Sequence, residues 1–310
     1  MKRSKYLLIL GIVALVAVTV FSQATTAGAD MGPKPSINIT FNGVKRESFY
    51  ATILSKSVST GPYSAYAPDE GWDYKNLGTY DSNYYYDDDY HNEEVESIWQ
   101  TFVDYKDADG YYFLQLWWKV DGKSSNIRWG YYPPYSFKLL LYYPETDAFV
   151  TSDIYERYAF DSYFTVNMNG VDTNQSGALL TLNKSYDYLS EFVGLLCRIV
   201  ITVAIEVLIA LLFLINGRGA QFTIFITNVV TQLALNIALN LIYYFNGVLL
   251  YLLFYFLLEL AVVIIEAVVY SLLLRKYGVP VWKSIVYALV ANVVTAVAGV
   301  FLANWLPGMF

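Results

Sequence analysis

The chain has 310 residues, is 56% hydrophobic and carries a formal net charge of −7. One cysteine and one histidine exclude a disulfide framework, a Cys-rich site and a multi-histidine metal site within a single chain. The charge is uneven: residues 22–191 hold 24 of the 27 acidic side chains and 12 of the 20 basic ones. That acidic part should repel nucleic acid and anionic headgroups, leaving a solvated surface or one that attracts cations or basic partners.

Residues 1–29 have the pattern of a secretory signal peptide. Lys2, Arg3 and Lys5 precede an apolar run over 6–21, and Ala27-Gly28-Ala29 offers an A-x-A cleavage site. An uncleaved anchor is the alternative. In both cases the next segment is exported.

Residues 30–188 are expected to form an extracytoplasmic, acidic, β-rich domain. Alternating or aromatic-rich runs at 36–41, 48–54, 111–120, 163–168 and 178–182 predict strands. The run 111–120 is aromatic on both faces and is expected to be a central strand. Runs 137–143 and 149–158 flank Pro144-Glu145-Thr146-Asp147, which predicts a hairpin. About seven strands without a helical period predict an antiparallel β-sandwich. Residues 80–96 are acidic and tyrosine-rich. Asp87, Asp88, Asp89, Glu93 and Glu94 there are candidates for contact with a cation, glycan or protein partner, against a plain solvated loop. Asp107, Asp109 and Gly110 echo a calcium loop, but Tyr105 and Leu116 stand where an EF-hand needs ligands.

Residues 189–310 are expected to form a four-helix transmembrane bundle. Windows 192–215, 222–245, 248–274 and 284–306 are long and apolar enough to cross ~30 Å of hydrocarbon. Soluble helices keep a charged outer face, which these lack. Their short connectors force antiparallel neighbours. Arg218 lies in the first connector and Arg275, Lys276 and Lys283 in the third, while Asn246-Gly247 is uncharged. Basic loops stay in the cytoplasm, so the N-terminal domain and the C-terminus are expected outside a multi-pass cell-membrane protein.

Polar residues inside the spans are the candidate site. Glu206, Glu259 and Glu266 are the only acids there, and an ionisable group at the bilayer centre costs roughly 2.5–3.5 kcal/mol or more. Asn228 and Gln232 lie on a polar stripe of the second span, and Asn292 and Thr295 on a small-residue face of the fourth. Counting ~1.5 Å per residue from each span's centre puts Glu206, Asn228, Glu266 and Asn292 at one depth, ~4–8 Å cytoplasmic of the midplane. Arg198 is a candidate ion-pair partner for Glu259, or snorkels outward. Three glutamates face one arginine, so at least two need a proton, a cation or strong hydrogen bonds.

Certain residues here carry a resemblance: Thr202–Glu206, Thr227-Asn228 with Thr231-Gln232, Glu259 with Val262-Val263 and Glu266-Ala267, and Asn292 with Thr295 and Gly299. On these the last 120 or so residues resemble a group of uncharacterised prokaryotic four-helix membrane proteins; Phe137–Phe164 shares the likeness more weakly. The resemblance implies the fold and no activity.

Three function classes remain. The first is a non-enzymatic receptor, adaptor or assembly factor whose exported domain binds a partner. The second is a small proton- or cation-linked transporter component using the Glu/Asn layer, which calls for a homo-oligomer because no inverted repeat is visible. The third is an intramembrane hydrolase, for which no Glu-Glu pair and no membrane histidine is present. No cofactor motif appears, and no nucleic-acid partner is expected.

Overall fold

A computed structural model describes residues 32–44, 48–57, 93–122, 125–130 and 133–305. They fall into two compact units, Lys34–Tyr186 and a helical unit that begins at Asp187. The expected signal peptide and Asp87, Asp88 and Asp89 lie outside the described residues.

Alternation builds the first unit. Strand β1 (Ser36–Asn42) turns Ile37, Ile39 and Phe41 to one side, where all three are buried. It pairs with β4 (Asn126–Trp129) and β8 (Asp161–Asn167), and β8 with β10 (Leu182–Lys184), giving a sheet ordered β10-β8-β1-β4. The second sheet is ordered β3 (Tyr112–Val120), β2 (Phe49–Ser55), β5 (Ser136–Tyr143), β6 (Ala148–Ser152) and β9 (Leu179–Leu180), with β7 (Tyr155–Glu156) beside β5. Ile37, Ile39, Trp129 and Phe164 of one sheet and Ile53, Phe137, Leu139 and Leu141 of the other share a single core. The unit is a two-sheet sandwich.

Three expectations are corrected. The sandwich is mixed: β1–β8 and β6–β9 pair in parallel. Side-chain alternation has the same period in both pairings, so the pattern carries no strand direction. Run 111–120 is a terminal strand among the described strands, and its pairing with β2 is broken by an irregularity between Thr52 and Leu54. Finally, Glu93–Asp104 is a helix, α1, where an acidic loop was expected over 80–96. Glu93 and Glu94 open it. Ile98, Trp99, Phe102 and Val103 recur at helical spacing and pack on Tyr50, Leu54, Leu140 and Tyr142, the outer face of the second sheet. This cover explains why β2 and β5 are buried on both faces.

The hairpin forms as expected, with β5 and β6 in antiparallel register from Tyr143–Ala148 outward. Asp107 and Asp109 take an internal cation in place of calcium: Lys138 Nζ lies 2.6 Å from Asp107 and 2.9 Å from Asp109.

In the helical unit, α2 spans Tyr188–Leu212, α3 Arg218–Leu273 and α4 Val281–Trp305, with a 3-10 turn over Leu274–Tyr277. The Asp187 carboxylate caps α2, accepting from the Ser190 backbone N–H at 3.0 Å. Three helices are thus long and apolar enough to cross a membrane. The longest is bent on itself at Gly247, whose φ of 78° and ψ of −176° belong to a region essentially closed to side chains. Its two arms lie side by side, since Asn228 bonds Tyr270 and Thr231 bonds Glu266 across the bend. Leu235 and Leu239 of the first arm pack with Val262 of the second.

Candidate functional site

Each helical segment turns polar side chains inward. Glu206 from α2, Asn228, Thr231, Gln232 and Asn236 from the first arm of α3, Glu266 from the second and Asn292 and Thr295 from α4 are all buried. The first-arm residues recur at three- and four-residue spacing, which places them on one face. Asn228 and Gln232 are joined there by Thr231 and Asn236, while Asn240, one turn further along the helix, is half-buried.

The polar groups sort into two places. The first is a closed layer around Glu266. Its Oε1 accepts the Thr231 hydroxyl at 2.6 Å and its Oε2 the Asn292 amide at 2.7 Å. Asn228 Nδ2 donates to Tyr270 Oη at 3.0 Å and to the Ile224 carbonyl at 3.1 Å. Tyr287 Oη donates to the Glu206 carbonyl at 3.1 Å. Tyr270 and Tyr287 are fully buried, with ring centroids 5.4 Å apart.

Glu206 differs from Glu266. Its side chain is fully buried, yet neither carboxylate oxygen has a hydrogen-bond partner. It lies against the Asn228 side chain and within electrostatic reach of Glu266. Asn228 Oδ1 and Asn292 Oδ1 are likewise buried without a donor. An unpartnered buried polar group costs about 1–3 kcal/mol, more when charged. The layer therefore has surplus acceptors: the donors of Thr231, Asn228 and Asn292 are committed to Glu266, Tyr270 or main-chain carbonyls. Chemically it can take up a proton or a cation.

The second place lies one to two turns nearer the Gly247 end of the helices. A cavity of about 260 Å³ is lined there by Arg198 and Thr202 of α2, Gln232 and Asn236 of the first arm, Tyr251, Tyr255 and Glu259 of the second, and Thr295 and Gly299 of α4. Glu259 thus belongs to the cavity, one to two turns from the layer that holds Glu266. Arg198 and Glu259 share the cavity but make no ion pair; Arg198 Nε donates to the Gly194 carbonyl at 3.3 Å.

Sequence reasoning missed the tyrosines. Tyr270 stands four residues after Glu266, and Tyr251 and Tyr255 stand eight and four before Glu259, so each shares a helix face with a glutamate. That spacing was the available signal. Glu93 and Glu94 belong to α1 in the other unit. Among the described residues no group of three or more His, Cys, Asp or Glu side chains is placed to hold a metal ion. Comparison with family models, with curated proteins and with solved structures finds no match to this chain.

Proposed function

We propose that this chain is a multi-pass membrane protein in which α2, the two arms of α3 and α4 each cross the bilayer. The β unit and the C-terminus lie outside, and the protein serves there as a receptor, adaptor or assembly factor. The observation that carries the reading is the outer surface of the helices. Leu189, Leu212 and Leu272 are 72%, 81% and 71% exposed, and most large apolar side chains on these helices face away from the protein. Such a surface is stable only with lipid as its solvent. Polar groups are turned inward instead, the arrangement expected where the surroundings are hydrocarbon. The orientation rests on Arg218, Arg275, Lys276 and Lys283 flanking one end of the helices and the uncharged Asn246-Gly247 the other. Support for a binding role comes from the β unit, which closes its own core and so offers a self-contained surface to a protein, glycan or cation.

Cysteine accessibility tests the topology. In a Cys197→Ser background, a membrane-impermeant maleimide on intact cells should label Asn246→Cys and spare Lys276→Cys. Labelling of Lys276→Cys would overturn the orientation. Pull-down with the full chain, with and without the β unit blocked by antibody, tests the binding role.

A second reading, proton- or cation-linked transport, is favoured by Glu206 alone, since a fully buried carboxyl with no partner serves poorly as structural glue. Uptake into proteoliposomes as a function of pH tests it, and absence of flux at every pH rejects it.

A further inference from the structure

We infer that the cavity between Arg198 and Glu259 is a binding site for a small zwitterion, a molecule that carries an anionic and an ammonium group close together.

The argument starts from charge. Among the described residues Arg198 and Glu259 are the only basic and acidic side chains lining this cavity, and they make no ion pair with each other; the side-chain neighbours of Arg198 and Glu259 are the neutral hydroxyls of Tyr251 and Tyr255 respectively. Inside an apolar bundle two opposite charges are expensive unless something compensates both. Closing on each other would do so, yet the cavity of about 260 Å³ stands between helices that carry them. An occupant that meets both must present both signs. An anion alone would leave Glu259 without an opposite charge, and a cation alone would leave Arg198 so.

The rest of the lining fits the same occupant. A guanidinium holds a carboxylate or phosphate oxygen pair through parallel N–H donors. Glu259 accepts from an ammonium, and Tyr251 and Tyr255, with ring centroids 6.2 Å apart, line the cavity on the same helix as Glu259. Gln232 and Asn236 give amides that both donate and accept, suited to the polar stem between the charges. The volume matches a ligand of amino-acid or phosphoethanolamine size, below the range of drug-sized pockets. Two sources supply this chemistry: the headgroup of a phosphatidylethanolamine in the surrounding bilayer, or a free solute. Only the first depends on the membrane-spanning reading.

The experiment uses the purified full chain in nanodiscs of phosphatidylglycerol, with thermal unfolding as the readout. Three free probes are titrated: phosphoethanolamine, inorganic phosphate and ethanolamine. In a parallel arm, phosphatidylethanolamine replaces part of the lipid. The zwitterion, free or as headgroup, should raise the unfolding temperature in a saturable way, with at least tenfold tighter apparent affinity than phosphate or ethanolamine. Stabilisation by the lipid alone identifies the headgroup as the source, and by free phosphoethanolamine a solute. Arg198→Gln and Glu259→Gln should each abolish the increment; each removes a charge that the empty cavity leaves without an opposite, so neither should lower the unfolding temperature in phosphatidylglycerol alone. Three results overturn the assignment: no increment from either zwitterion source, an equal increment from phosphate or ethanolamine, or an increment that survives Glu259→Gln. If a variant fails to fold, the selectivity of the unaltered protein among the probes still decides. Failure here with impermeant labelling as expected rejects the site and leaves the membrane reading standing.

Discussion

Thr231 Oγ1 and Glu266 Oε1 meet at 2.6 Å, and the bond joins the two arms of α3 across their bend. Thr231→Val keeps the shape but leaves a fully buried carboxylate oxygen without its donor. The expected loss is about 1.5–3 kcal/mol, measured as a fall in thermal stability in lipid. Glu266→Gln should be milder. Its new N–H₂ faces a donor, but Asn292 Oδ1 is free to accept once that amide turns over. The turn gives up the Asn292 bond to Ala288 O, so a cost of about 1 kcal/mol is expected.

Gly247 is required by its backbone. With φ at 78° and ψ at −176°, a Cβ meets steric conflict whatever its neighbours. Gly247→Ala should therefore cost about 1–3 kcal/mol and loosen the pairing of the arms. Faster hydrogen exchange over residues 235–262, beyond the bend itself, would be the sign.

Glu206→Met separates fold from function. It removes two acceptor oxygens that nothing satisfies and keeps similar volume in a fully buried place. The fold should gain about 1–3 kcal/mol while any proton or cation coupling is lost. Raised thermal stability with abolished ion uptake is the expected pair of results. A destabilised variant would mean that the carboxyl holds the helices together.

Lys138→Met tests the β unit. Asp107, whose side chain is 1% exposed, loses its ammonium partner but keeps the backbone N–H groups of Asp109 and Tyr111 at 3.0 and 3.2 Å. Breaking a buried pair in this way should cost about 3 kcal/mol in chemical denaturation followed by tryptophan fluorescence.

The same cluster sets a pH dependence. The hydrogen bond from Lys138, and then its charge, hold the Asp109 carboxyl below its usual 3.8. Burial pushes the Lys138 ammonium down, but the hydrogen bonds and charges of Asp107 and Asp109 outweigh it and hold it above 10.5. A lowered carboxyl contributes stability above about 3.8 that fades as pH falls through its folded value. A raised ammonium contributes stability below about 10.5 that fades as pH climbs through its folded value. The β unit should thus be most stable on a plateau from roughly pH 5 to 9, and Lys138→Met should flatten both edges, because it removes the ammonium that titrates at one and the partner that lowers Asp109 at the other.

Much of the molecule was legible from residue pattern alone. Alternation at 36–41 and 48–54, and the turn residues between 137–143 and 149–158, sufficed to place β1, β2 and the β5–β6 hairpin, because period and turn chemistry are local. Helix α1 escaped notice because its acidic opening, Glu93 and Glu94, continues a tyrosine–aspartate run, while Ile98, Trp99, Phe102 and Val103 occupy only a short window. Long apolar segments, a lone Gly247 between them and a few acids within them were also evident.

Length, hydropathy and spacing by themselves determined the sequence of segments and which side chains would be costly to bury. They settled neither strand direction, since β1–β8 pairing joins residues about 125 apart with the same alternation either way, nor which costly groups find partners. Only the packed helices decided that Thr231 and Asn292 satisfy Glu266, leave Glu206 without a donor and set Glu259 apart with Arg198 around an open space. Hydrogen bonds depend on angle and on fractions of an ångström between distant segments, and no one-dimensional pattern records those.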